Sequence, residues 1–110
     1  MDEGLDLSSL RQITGGDKAL EAELFAVFNE STSECLVSLR VAFDREDDAG
    51  WRDAAHALKG ASGSMGAMML HDVCREAQNA FKTEREAKQS LLHAIEVELE
   101  RVQALLKALA

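Results

Sequence analysis

The sequence predicts an all-α protein: an antiparallel up-down four-helix bundle preceded by a short N-terminal helix. Three observations carry this. The 110 residues include no proline, so no residue forces a helix to break. Tyrosine is absent and aromatic residues make up only 5%, which leaves strand formers scarce. Near the C-terminus Leu92, Ile95, Leu99, Val102, Leu106 and Leu109 step 3-4-3-4-3, the a/d pattern of a helix with one apolar seam.

Residues 1–16 read as a lead-in. Leu5, Leu7, Leu10 and Ile13 are spaced for a brief amphipathic helix, which Gly15-Gly16 ends. Asp17 stands where an N-cap belongs. Residues 17–46 follow helical spacing through Leu20, Leu24, Phe28, Cys35, Leu39 and Phe43, with Phe25, Val27 and Leu36 widening the stripe. Within this run Ser31-Thr32-Ser33-Glu34 has the form of a capping box, so 17–46 reads as either one kinked helix or two helices meeting near Ser31, and two nearly collinear pieces are favoured. Residues 44–50, Asp-Arg-Glu-Asp-Asp-Ala-Gly, form a polar hinge. A helix over 51–65 follows, with Trp51, Ala54, Ala55, Leu58, Ala61 and Met65 on its apolar face, and Gly66 marks a tight bend. The next helix, over 67–83, carries Leu70, Val73, Cys74, Ala77 and Phe81. A turn at Thr83–Arg85 leads to the heptad helix over 86–108, which is too short to stand alone as a coiled coil and is expected to lie against its own chain. Short connections between these helices make them antiparallel neighbours in a single domain spanning 1–110.

Composition excludes several functions. Twelve Lys+Arg against 20 Asp+Glu give a net charge of −8, which argues against nucleic acid and anionic membrane as partners. No apolar run approaches the ~18 residues of a membrane span. The acidic start Met1-Asp2-Glu3-Gly4 does not read as a secretory signal, and two cysteines, Cys35 and Cys74, are too few for a disulfide framework. A cytoplasmic setting is the expectation.

The unusual segment is His56-Ala57-Leu58-Lys59-Gly60-Ala61-Ser62-Gly63-Ser64-Met65-Gly66. With Leu58 at the centre of the buried face, His56, Gly60 and Gly63 fall roughly 140–200° away and Lys59 about 100° away. The imidazole then points to solvent with a lysine at its flank. Two glycines on one exposed helix face cost about 2 kcal/mol against alanine, with no packing return visible in the sequence. Something must approach that face closely. Three readings compete. The first is an inert histidine on an ordinary surface. The second is a metal site, for which His56 lacks a partner at i+3 or i+4, while His71 and Cys74 lack a completing pair, so no metal is expected. The third is a nucleophile: free imidazole, with a pKa of ~6.5, is largely neutral at pH 7 and can attack phosphorus, and the Lys59 ammonium could hold the transferred oxygens.

Residues 56–67 resemble the H-x-L-K-G-x-S-x-x-x-G-A signature of histidine-containing phosphotransfer domains of two-component phosphorelays. Every fixed position is filled, by His56, Leu58, Lys59, Gly60, Ser62, Gly66 and Ala67. The resemblance extends over nearly the whole chain, including the lead-in, the acidic hinge and the long closing helix. It implies His56 as phosphoacceptor, Lys59 as the cation that stabilises the phosphoryl group, and Gly60 as the residue that keeps the histidine accessible. Some members also use a glutamine 22 residues after the histidine and a basic residue four further on, which here are Gln78 and Lys82. Helical spacing puts His71, Arg75, Gln78 and Lys82 on one polar face, from which Gln78 could orient the imidazole. Gly66 and Ser62 are expected to serve structure.

No nucleotide-binding loop or Walker pattern is present, so the chain has no kinase site of its own. Phosphate must arrive activated, as an aspartyl phosphate. The expected function is a phosphocarrier between receiver domains, with no cofactor on this chain and Mg²⁺ held by the partner. The expected partners are response-regulator receiver domains and a hybrid histidine kinase. Docking would centre on Gly60 and Gly63, with Ala57 or Met68 as an apolar rim, and the chain is expected to be a monomer. The rival reading is a non-catalytic helical adaptor whose surface histidine is inert.

Overall fold

The computed structural model describes residues 5–109; the acidic start at Met1–Gly4 and the last residue lie outside the described residues. Five helices follow one another: α1 (Ser8–Thr14), α2 (Lys18–Asp44), α3 (Asp48–Ser64), α4 (Met68–Asn79) and α5 (Arg85–Leu109). The last four form the bundle, each packed against its neighbours in the ring α2–α3–α4–α5, and α1 packs on α2. At 1.5 Å per residue the 27 residues of α2 rise about 40 Å, so this helix runs almost the full 44 Å length of the molecule.

Local chemistry sets most boundaries. Gly15 and Gly16 take positive φ (64° and 82°) to turn the chain out of α1. The Asp17 carboxylate then accepts from the amides of Ala19 and Leu20, capping α2. Asp47 caps α3 by accepting from the amide of Gly50 at 3.0 Å. The α3 helix therefore starts at Asp48, three residues before the expected Trp51, and the hinge shrinks to a turn in which Glu46 takes the left-handed conformation (φ 55°).

Two expected helix limits inside the bundle also need correction. The break near Ser31 does not occur: α2 is continuous from Lys18 to Asp44. The hydroxyl of buried Thr32 donates back to the carbonyl of Phe28 at 2.7 Å, which keeps it within the helix. Gln103 of α5 donates to Ser33 Oγ at 3.2 Å, so that hydroxyl faces a neighbouring helix. The second correction concerns the end of α4, expected at 83 and found at Asn79. Both the amide and the hydroxyl of Thr83 donate to the carbonyl of Ala80, closing a turn in place of another helical step.

The core is apolar and continuous. Trp51, Leu58, Leu39, Leu70, Ile95, Val102 and Leu106 are its largest fully buried apolar side chains, drawn from all four bundle helices. On α5 the heptad positions face inward from Leu92 to Leu106, and Leu109 emerges at the surface. The α2 stripe is rotated from its expected setting: Leu20 and Val27 are exposed, and Glu21 is buried in their place. Glu21 is satisfied by α1, through the Thr14 hydroxyl at 3.2 Å and the Arg11 Nε at 3.5 Å. Ile13 of α1 also points outward, at 80% exposure. The lead-in is stitched to the α3/α4 turn, where the amide of Asp6 donates to the carbonyl of Gly66 at 2.8 Å. Gly66 has φ 76°, and a Cβ on it would stand 1.7 Å from the Asp6 oxygen, so glycine is required there twice over. At the end of the hairpin away from that turn, α3 and α4 are pinned by the Trp51 indole N–H, which donates to the carbonyl of Ala77 at 2.8 Å.

Candidate functional site

The seam between α3 and α4 carries the candidate residues. Leu58 is 0% exposed, and two residues on either side of it His56 and Gly60 emerge on the opposite face into solvent, as 100° per residue requires. The α4 helix runs antiparallel beside them and brings Gln78 to His56: Gln78 Oε1 accepts from His56 Nδ1 at 3.3 Å. With the proton on Nδ1, the lone pair of Nε2 is left for attack on an electrophile. Two helical turns along, Gly63 meets His71 in the same register, since a Cβ on Gly63 would stand 3.3 Å from the His71 ring. The two glycines of the exposed face therefore differ. A Cβ at Gly60 would meet nothing within 4 Å, whereas Gly63 makes room for a neighbouring imidazole.

Lys59 is half-buried at the flank of His56, and among the described residues it has no carboxylate within 4 Å. Lys82 is exposed, but it lies beyond the end of α4, so helical spacing does not place it on the face of Gln78. Its Nζ stands 5.5 Å from the centre of the Phe81 ring. The sequence reading does not single out Arg52, although it precedes His56 by one helical turn; its guanidinium lies 5.2 Å from the same ring. The i,i+4 spacing to His56 was the available signal.

Within the signature segment Ser62 serves structure. The buried Ser62 hydroxyl donates to the carbonyl of Leu58 at 2.6 Å. Burial pushes the Cys74 thiol up to about 12, so it stays protonated at neutral pH and is neither a nucleophile nor a ready metal ligand. His71 Nδ1 lies 3.4 Å from Asp72 Oδ1. Among the described residues no group of three His, Cys, Asp or Glu side chains is placed to hold a metal ion. None of the helices among those residues is long and apolar enough to cross a membrane.

An exposed, singly tethered imidazole on a bare helix face of a four-helix bundle is an arrangement with known relatives. The family model of the Hpt domain matches residues 23–109. The chain belongs to the Hpt domain family. Its role is histidine phosphotransfer in two-component phosphorelays. The fold agrees closely with the crystal structure of histidine-containing phosphotransfer protein B from Pseudomonas aeruginosa PAO1, with a TM-score of 0.88 at 28% identity over 98% of this chain and 95% of that one. It also agrees with the HPT domain of a sensor hybrid histidine kinase from Shewanella, with a TM-score of 0.75 at 22% identity over 96% and 92%. No curated protein sequence matches the chain. Hpt domains work with receiver domains and histidine kinases.

Proposed function

We propose that His56 of this Hpt domain takes a phosphoryl group from the aspartyl phosphate of one receiver domain and returns it to the aspartate of another. The lone pair of Nε2 attacks phosphorus, and the P–O bond to the aspartyl carboxylate breaks, its electrons leaving with the carboxylate. The Nδ1 proton stays on the ring, held against Gln78 Oε1. A phosphorylated ring that keeps this proton is positively charged and is a good leaving group, so the same geometry serves the return step. Lys59, with no carboxylate within 4 Å among the described residues, supplies charge for the equatorial oxygens of the transferring group. Gly60 lets the partner surface close on the imidazole without a side chain in the way. Lys82 contributes positive potential from the rim, and Gly63 belongs to the docking face through the His71 ring packed against it.

The observation that carries this reading is the His56–Gln78 contact beside the open Gly60. The receiver supplies Mg²⁺ for its own aspartate, and this chain binds no cofactor. The protein works in the cytoplasm, a setting that the free thiols of Cys35 and Cys74 support. It acts as a monomer, because the α5 seam from Leu92 to Leu106 is already spent on the core.

The test is transfer from a receiver domain carrying labelled phosphate. The expected product is a label on this chain that survives base and is lost in acid, and His56→Gln should abolish it while leaving the helical circular dichroism unchanged. Label that persists in the variant, or that never passes from any receiver of the source organism, would favour the inert adaptor.

A further inference from the structure

Cations concentrate on the α3/α4 seam of a chain whose net charge is −8. Lys59 follows His56 by three residues and Arg52 precedes it by four, so both are its helical neighbours, with Cβ atoms about 5–6 Å away. Arg52 differs from Lys59 in how it is held. Its guanidinium lies 5.2 Å from the centre of the Phe81 ring, and Lys82 Nζ lies 5.5 Å from the same centre. Phe81 is half-buried and packs on the core, so the ring is a fixed platform. A guanidinium resting on an aromatic ring keeps its in-plane N–H donors free to fork onto a carboxylate. Its Nε donates to the exposed neighbour Asp53 at 3.4 Å, and among the described residues no other carboxylate lies within 4 Å of the guanidinium. Among the described residues no carboxylate lies within 4 Å of Lys82. Two like charges gathered at one ring, one of them a single helical turn from His56, form a ready site for an anionic partner group.

We propose that Arg52, steadied on Phe81 beside Lys82, is a docking residue that pairs with carboxylates rimming the phosphoaspartate pocket of an incoming receiver domain. This rests on the phosphocarrier reading above. A phosphoaspartate pocket that holds Mg²⁺ does so through carboxylates, so the surface brought to His56 is acidic. Arg52 stands a full turn from the imidazole and meets the rim of that surface, while Lys59 meets the phosphoryl group. Arg52 therefore governs encounter, and Lys59 governs the chemical step.

The experiment is steady-state transfer from a receiver domain loaded with labelled acetyl phosphate, measured against receiver concentration and salt. Arg52→Gln should raise KM about fivefold, leave kcat within about twofold, and flatten the salt dependence. Arg52→Lys should recover part of the loss, since it keeps the charge and gives up the planar fork. Phe81→Leu should raise KM about twofold with every charge retained. Unchanged KM and salt dependence in Arg52→Gln would overturn the proposal, as would a fall in kcat at constant KM, which would put Arg52 on the phosphoryl group. Wild-type protein that takes no label would overturn the phosphocarrier reading itself. That outcome is distinct from a wild type that transfers normally beside an equally competent Arg52→Gln.

Discussion

Gly60 and Gly66 belong to the same signature segment, and the structure gives them opposite reasons for being glycine. Gly60 lies inside α3, where helical backbone would accept any residue, and a Cβ on it would meet nothing within 4 Å. Its own fold gains nothing from the missing side chain; alanine would be better by about 1 kcal/mol. Gly66 lies outside helix, at φ 76°, with the Asp6 backbone where its side chain would be. One glycine keeps space for a molecule that comes and goes, and the other keeps space for the protein's own lead-in. The contrast separates functional from structural glycine by geometry alone: emptiness around a helical glycine points outward to a partner, and backbone crowding around a left-handed one points inward to the fold.

Substitutions can break or sharpen this contrast. The largest effect is expected at Gly66→Ala. Left-handed strain and collision with the Asp6 carbonyl should cost about 3 kcal/mol in chemical denaturation, while transfer per folded molecule stays near wild type. If that variant were as stable as the parent, the close approach of the lead-in would be wrong. Gly60→Arg should do the reverse, with a melting temperature equal to or above wild type and transfer slowed about a hundredfold by a side chain beside the imidazole. Unimpaired transfer would show that Gly60 has another purpose. Lys59→Ala should slow transfer about tenfold with the fold intact, read from single-turnover rates and the thermal transition. A melted bundle would mean that Lys59 is structural.

The smallest effect concerns the thiols. Cys74 lies buried beneath the seam and Cys35 is half-buried, and burial raises both thiols above their ordinary range. At pH 8 a disulfide-exchange reagent should label Cys35 first and Cys74 only on unfolding, with Gly66→Ala hastening the second phase and Gly60→Arg leaving it alone. Because the folded pKa of Cys74 is raised from 9.0 to about 12, burying the neutral thiol carries no ionisation penalty below pH 9. Stability should then fall as pH rises from 9 toward 12, and Cys74→Ala should reduce that slope, leaving the smaller share of Cys35.

Much of this was legible in the sequence because it depended on one helix at a time. The exposure of His56 and Gly60 follows from the burial of Leu58 at fixed angular steps. The inward face of α5 follows from its heptads. What was not legible required a second element. The Ser31 segment has the chemistry of a cap, yet the Thr32 hydroxyl finds the Phe28 carbonyl inside the same helix, and local sequence does not choose between those bonds. Glu21 is buried because α1 brings Thr14 and Arg11 to it, a pairing that apolar periodicity in α2 alone assigns to Leu20. The neighbour of Gly66 is Asp6, far away along the chain. Lys82 leaves its expected face because α4 stops at Asn79, and its Nζ lies 5.5 Å from the centre of the Phe81 ring.

The indole of Trp51 has a use that follows from where it is tied. It is the sole tryptophan of the chain, it is fully buried, and its N–H reaches the carbonyl of Ala77, one residue before the glutamine that meets His56. Its emission is thus an optical gauge of the very register that sets the imidazole, with no competing fluorophore from tryptophan or tyrosine. A blue-shifted signal that stays constant while a variant loses transfer would locate the lesion in chemistry or docking; a red shift would place it in the scaffold.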